Sequence, residues 1–149
     1  MWIKRMFASV LSAVCLFTGL GMTASAQSVS AYSLVGGVSP LYEIANYAFS
    51  ELDIDGFAAM CTSTASGNDT VNIAVEQTLE KQSGWFIFQS WSGVDGAVWT
   101  KTVNGSTISL ASTKNGLDSG TYRVKSVFKL TDKLGKTETI TVYSDERSV

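Results

Sequence analysis

The feature that most constrains this chain is an alternation of apolar and polar residues with period two. Val71, Ile73, Val75 and Leu79 are interleaved with Asn72, Glu76, Thr78 and Glu80. Tyr122, Val124, Phe128 and Leu130 are interleaved with Thr121, Arg123, Lys125, Lys129 and Thr131, and Ile140 and Val142 with Thr139, Thr141 and Tyr143. Successive side chains of a strand point to opposite faces, so each run has one dry face and one wet face. Antiparallel sheets with one solvated side carry that pattern. After Met22 no stretch holds a helical period. Leu41 to Leu52 is ambiguous, since Ile44, Tyr47 and Ala48 could share a helix face; it is read as extended.

Turn chemistry separates the runs. Gly67-Asn68-Asp69 precedes the Val71 strand and Gln82-Ser83-Gly84 follows it. Gly93-Val94-Asp95-Gly96 and Asn104-Gly105 break up the middle, and Asn115-Gly116 and Asp118-Ser119-Gly120 precede Tyr122. Asp132 to Gly135 joins the last two strands as a hairpin. Phe57, Ala59, Cys61 and Ala65 form a further alternating set, which places Cys61 on an inner face as a small structural hydrophobe. The predicted fold is all-β: an antiparallel two-sheet β-sandwich of about seven strands over residues 41–149, immunoglobulin-like in general shape.

The N-terminus reads as an export signal. Lys4 and Arg5 are followed by an uncharged run from Met6 to Met22, then Ala24-Ser25-Ala26 supplies the small residues a signal peptidase requires. Residues 1–26 are the expected signal peptide, with cleavage before Gln27. Residues 27–40, rich in Ser and Gly and closed by Pro40, read as a flexible leader or a peripheral edge. Leu11-Ser12-Ala13-Val14-Cys15 is a poor lipobox because Val14 is branched where a small residue is needed. The protein is therefore expected outside the cytoplasm, extracellular or associated with the cell wall. Loss of Lys4 and Arg5 lowers the basic count from 11 to 9 against 13 acidic residues, a net charge of −4. Such a domain is a poor nucleic-acid binder, and without a polybasic stretch no membrane contact is expected after signal cleavage. Cys61 is alone once Cys15 leaves, so the mature chain forms no internal disulfide.

The chain has no histidine. Ser-His and Cys-His nucleophiles and His-ligated metals are thereby excluded, and no G-x-S-x-G, P-loop or H-E-x-x-H motif occurs. A carboxylate pair remains the one route to catalysis. Asp53-Ile54-Asp55-Gly56 is the tightest acidic cluster, and it reads as a turn rather than a calcium loop because no Glu closes it. Asn68-Asp69-Thr70 and Asn104-Gly105-Ser106 match the glycosylation pattern but also read as turns. Arg123, Lys125 and Lys129 line one strand face and are read as solvated, paired with Glu76, Glu80 or Glu138. No catalytic residue, metal or cofactor is expected.

The tryptophans are the candidate binding residues, since aromatic rings stack on sugars. Trp85 and Trp91 share parity along one expected strand and are read as core filling, although Trp91 becomes a binding candidate if that strand exposes its face. Trp99 shares a face with Lys101 beside a glycine-rich approach and is the better candidate for an exposed ring.

Asp118-Ser119-Gly120-Thr121-Tyr122 resembles the D-x-G-x-Y corner that opens the penultimate strand of immunoglobulin-like domains, where the tyrosine hydroxyl bonds back to the backbone. Asp118 and Tyr122 are thus expected to be structural. Val124 stands where antibody-type domains carry their second cysteine, so the resemblance is one of topology. A wider resemblance spans most of the mature chain. Ser39-Pro40-Leu41-Tyr42, Trp85 through Gly93, Gly120 through Lys125 and Glu138 through Ser144 are similar, in that order, to segments of a group of small secreted single-domain β proteins of Gram-positive bacteria. That resemblance implies export and a single β domain, and brings no catalytic residue with it. The function expected is a secreted non-enzymatic binding module whose partner is an extracellular protein or a glycan. The alternative is a carbohydrate-binding module that uses exposed tryptophan.

Overall fold

The computed structural model describes residues 42–85 and 87–149. The expected signal peptide, 1–26, and the expected leader, 27–40, lie outside the described residues. Eight strands follow in order: β1 (Ala45–Asp55), β2 (Ala58–Gly67), β3 (Thr70–Ser83), β4 (Ser90–Val103), β5 (Thr107–Asn115), β6 (Thr121–Asp132), β7 (Thr137–Tyr143) and the short β8 (Arg147–Ser148). One sheet has the order β1-β2-β5. The other has the order β4-β3-β6-β7, with β8 paired to the start of β6. Every pairing is antiparallel. The segment 41–52, ambiguous in sequence, is extended from Ala45 onward, and no helix occurs among the described residues.

The sheets pack face to face through the alternating residues. At one end Ala48, Ala65 and Ile108 of the smaller sheet meet Ile73, Val75, Phe128, Leu130 and Ile140 of the larger. At the other end Leu52, Ala59 and Cys61 meet Leu79, Ala97, Tyr122 and Val124, with Leu117 of the β5–β6 loop. Each large side chain buried this way contributes roughly 1.5–3 kcal/mol. Two members of the alternating sets depart from expectation. Val71 is half exposed, and Phe57 lies in the β1–β2 turn at 66 % exposure rather than on the inner face with Ala59, Cys61 and Ala65. The turn begins at Gly56, one residue before Phe57, so the strand period does not reach it.

A polar layer separates the two apolar clusters. Gln77 of β3, Ser63 of β2 and Ser126 of β6 are fully buried between the sheets. The Ser126 hydroxyl lies 2.6 Å from that of Ser63 and 2.8 Å from that of Ser50. Gln77 Nε2 donates to Ser63 Oγ at 2.6 Å and to the Leu110 carbonyl at 3.3 Å. Gln77 Oε1 is buried with no donor among the described residues, an arrangement that costs about 1–3 kcal/mol.

Both open sides of the sandwich are clasped by charged side chains. On one side Glu138 of β7 accepts the backbone N–H groups of Glu43, Ile44 and Ala45 at 2.9, 2.8 and 3.0 Å, fixing the entry to β1. On the other side Lys101 of β4 donates to the Ser109 carbonyl of β5 at 2.8 Å, and Lys114 of β5 donates to the Asp95 carbonyl of β4 at 2.9 Å. Lysines that occupy edge carbonyls also blunt edge strands against pairing with other chains.

The Gly93–Gly96 run is not a break between strands. It lies inside β4 as a bulge: the partners of β3 jump from Thr78↔Val98 to Glu80↔Gly93, and Gly96 has φ +67°. The bulge reverses the facing of β4 on its two sides. The Tyr122 hydroxyl donates to the Asp118 carbonyl at 2.6 Å, the backbone bond that D-x-G-x-Y implies. Burial of Cys61 pushes its thiol up to about 12.

Candidate functional site

The site begins with the end of a hairpin. Pairing between β3 and β6 stops at Lys81↔Tyr122, whereas β3 and β4 continue through Gln82↔Trp91 and Ser83↔Ser90. This two-rung neck therefore projects roughly 7 Å past the last rung it shares with β6. The turn beyond it is not made of turn residues. Trp85 is 79 % exposed, Ile87 87 % and Phe88 79 %. The expected strand through Trp85 does not form, and Trp85 is not core filling; β3 ends at Ser83 and β4 starts at Ser90. The controlling residue is Gly84. Its φ is +100°, and a side chain there would collide with the Phe88 carbonyl. With Gly84 turned this way, the Phe88 N–H donates to the Trp85 carbonyl at 3.0 Å.

The neck is tied by uncharged polar groups. The Ser83 and Ser90 hydroxyls lie 3.0 Å apart, and Gln82 Nε2 donates to Gln89 Oε1 at 3.2 Å. Beneath them, on the outer face of the larger sheet, Arg123 is held in a stack. Its guanidinium lies 4.1 Å from the Trp91 ring centroid and 4.2 Å from that of Tyr143. Its Nε donates to Glu80 Oε2 at 2.8 Å. Such cation–π contacts contribute about 0.5–2 kcal/mol each. The projecting hairpin thus stands on a braced base.

The residues singled out from sequence are dispersed. Trp99 pairs with Gln77 on the inner face and packs, half buried, against the second core cluster. It is not the exposed ring expected: the bulge turns this half of β4 inward, and Lys101 on the same face reaches across to β5 instead of marking a wet surface. Trp91 pairs with Gln82 on the outer face, half buried beneath Arg123. Tyr122 and Cys61 lie in the second core cluster, and Asp118 contributes its carbonyl to Tyr122. Of the basic strand face, Arg123 pairs with Glu80 as expected, while Glu138 serves β1 instead. Sequence reasoning missed Ile87 and Phe88. Their signal was four consecutive apolar residues directly after a Gln-Ser-Gly turn, a pattern that strand burial alone does not require.

A shallow depression of about 220 Å³ opens beside the neck, lined by Lys81, Ser92, Asp95, Lys114, Asp118 and Tyr122 among others. Two lysines and two aspartates balance its charge. Both ammonium groups are engaged, Lys114 with the Asp95 carbonyl and Lys81 over the Tyr122 ring at 5.4 Å. Among the described residues no three His, Cys, Asp or Glu side chains gather in a way that could hold a metal ion.

No protein-family model matches the chain, and no curated protein matches it. Among solved structures it is similar to Spo0M, a sporulation control protein from Bacillus subtilis, at 13% identity and a TM-score of 0.32. That likeness covers 72% of this chain and 49% of the other, so the chain spans about half the length of that protein.

Proposed function

We propose that this protein is an exported, non-enzymatic interaction module that docks on a partner outside the cytoplasm through the β3–β4 tip. The observation that carries the reading is the exposure of Trp85, Ile87 and Phe88, at 79 %, 87 % and 79 %, on a turn closed by the bond from the Phe88 N–H to the Trp85 carbonyl. A tip that served only to connect two strands would be built from Gly, Asn, Asp or Ser. Large side chains left in water contribute nothing to the core, and contiguous apolar patches on soluble domains mark contact sites. Export rests on Lys4, Arg5, the uncharged run after them and Ala24-Ser25-Ala26, and on the resemblance to small secreted β proteins. The immunoglobulin-like reading belongs to the same proposal. It is supported by the division of the first, second and fifth strands from the third, fourth, sixth and seventh, and by the Tyr122 corner.

The carbohydrate alternative draws on the exposed Trp85. Against it, one face of Trp91 is covered by Arg123, Trp99 packs inward, and the neck amides of Gln82 and Gln89 already bond each other. Sugar hydroxyls need polar partners beside the stacking ring, and the tip offers few. The test is a photo-cross-linking amino acid at position 87 in cells that export the protein, with position 134 as control. Leu134 is equally exposed, at 86 %, but lies in the β6–β7 turn at the other end of the sandwich. Adducts at 87 and none at 134 are expected; equal adducts, or none at either, would reject the tip as the contact surface.

A further inference from the structure

We infer that the partner of the β3–β4 tip is the interfacial layer of a phospholipid bilayer, a conclusion that rests on the docking reading above. Three observations select this occupant. The first is shape. The tip stands on a two-stranded neck beyond the last rung with β6, so it can reach a flat surface ahead of the sheet that carries it. The second is composition. No residue between Lys81 and Asp95 is charged, and the tip combines Trp, which favours the bilayer interface, with Ile and Phe, which favour apolar surroundings.

The third is layering along the hairpin. Apolar side chains occupy the extremity. Behind them comes a belt of uncharged polar groups, Ser83, Ser90, Gln82 and Gln89, bonded to one another. Charged groups begin only at the next rungs, with Lys81 and the Arg123–Glu80 pair. That sequence of layers matches the profile a protein meets on leaving the acyl chains for the headgroups and then water. A sugar platform or a protein hot spot has no need of it, and hot spots commonly include a charged or phenolic group. The expectation of no membrane contact rested on the missing polybasic stretch. That bears on attraction to anionic headgroups only, and an uncharged apolar tip does not depend on it.

The test uses the purified protein beginning at Gln27, with vesicles of phosphatidylcholine alone and with added phosphatidylglycerol. Reversible partition is expected, no tighter than that of a single acyl chain, which is on the order of 10⁴ M⁻¹. It should be similar for both lipid mixtures and should persist in raised salt. Each of the three side chains should be worth at least about tenfold, so W85S/I87S/F88S should lower partition by on the order of 1,000-fold. L134S should leave it unchanged. Lipids brominated near the headgroup should quench emission in the wild type, and this tip signal should disappear in W85F while partition persists. The inference is overturned if vesicles bind no protein, if the triple variant binds as well as wild type, or if binding vanishes in raised salt. A tip-dependent dimer in sedimentation without lipid, or tip-dependent retention on insoluble polysaccharide without vesicle binding, would also overturn it. In cells, polypeptide or glycan adducts at position 87 with no vesicle partition would remove the bilayer and leave the docking reading standing. Loss of both adducts and partition would remove both.

Discussion

Replacing Glu138 by Gln probes how the edge of the sandwich is closed. The carboxylate accepts three backbone N–H groups, one on Oε1 and two on Oε2. An amide has one acceptor oxygen, so at least one of the three donors must face an NH2 group. The best orientation keeps the pair from Ile44 and Ala45 and sacrifices the bond from Glu43, whose surroundings are exposed. The two bonds retained also lose their charge. Hydrogen bonds to charged groups contribute about 1.5–3 kcal/mol and neutral ones about 0.5–1.5. With water able to reach Glu43, the net loss should be about 2 kcal/mol near neutral pH. For a domain of this size that is a fall in Tm on the order of 8 °C.

The loss must also depend on pH. Burial pulls the Glu138 carboxyl upward, but the backbone donors of Glu43, Ala45 and Ile44, aided by Lys136, outweigh it and hold the group below its ordinary value of 4.5. A carboxylate depressed on folding contributes stability that is present above the unfolded value and lost as pH falls through the folded one. Wild type and E138Q should therefore differ most near neutrality and converge in acid. Denaturant melts across that range measure the gap directly. A gap that is absent near neutral pH, or unchanged in acid, would refute the claim that this carboxylate clasps β1.

Tyr122→Phe removes the 2.6 Å bond to the Asp118 carbonyl while retaining most of the ring volume, so denaturant melts should show a loss of about 1–2 kcal/mol. Cys61, buried with its thiol pushed up to about 12, should resist thiol reagents in the native protein and react only on unfolding; rapid native labelling would contradict its inner-face position. Trp99→Ala should cost about 2 kcal/mol, below the 3–5 typical of a fully buried aromatic, whereas Trp85→Ala should leave the melt within about 0.5 kcal/mol. Equal effects of the two would contradict their placement.

The period-two pattern made the sandwich legible because each inner-face residue reports its own burial. Its gaps were informative too. Each alternating set skips one inner position: Gln77 on β3, Ser126 on β6 and Ser63 on β2. Read singly they look like interruptions, but the registers bring all three to one level, where they form a single hydrogen-bonded layer. Register between distant strands is not written in any one strand, so this layer was not legible. The same limit hid the role of Glu138, whose partners lie more than 90 residues away. Trp91 and Trp99 have the same parity, which implies one shared face; the bulge at Gly93–Gly96 puts them on opposite faces. The tip was misread because consecutive apolar residues signal burial by default, and only the early end of β3 shows that Trp85, Ile87 and Phe88 lie past the sheet.

The most direct test is where the protein resides when cells make it with and without an intact tip. Fractionation should find wild-type protein, processed after residue 26, bound to the cell surface. W85S/I87S/F88S, equally well exported and with an unchanged melt, should be released into the medium. Equal partition of the two proteins between surface and medium, or retention of the unprocessed chain inside the cell, would contradict an exported module that docks through this hairpin.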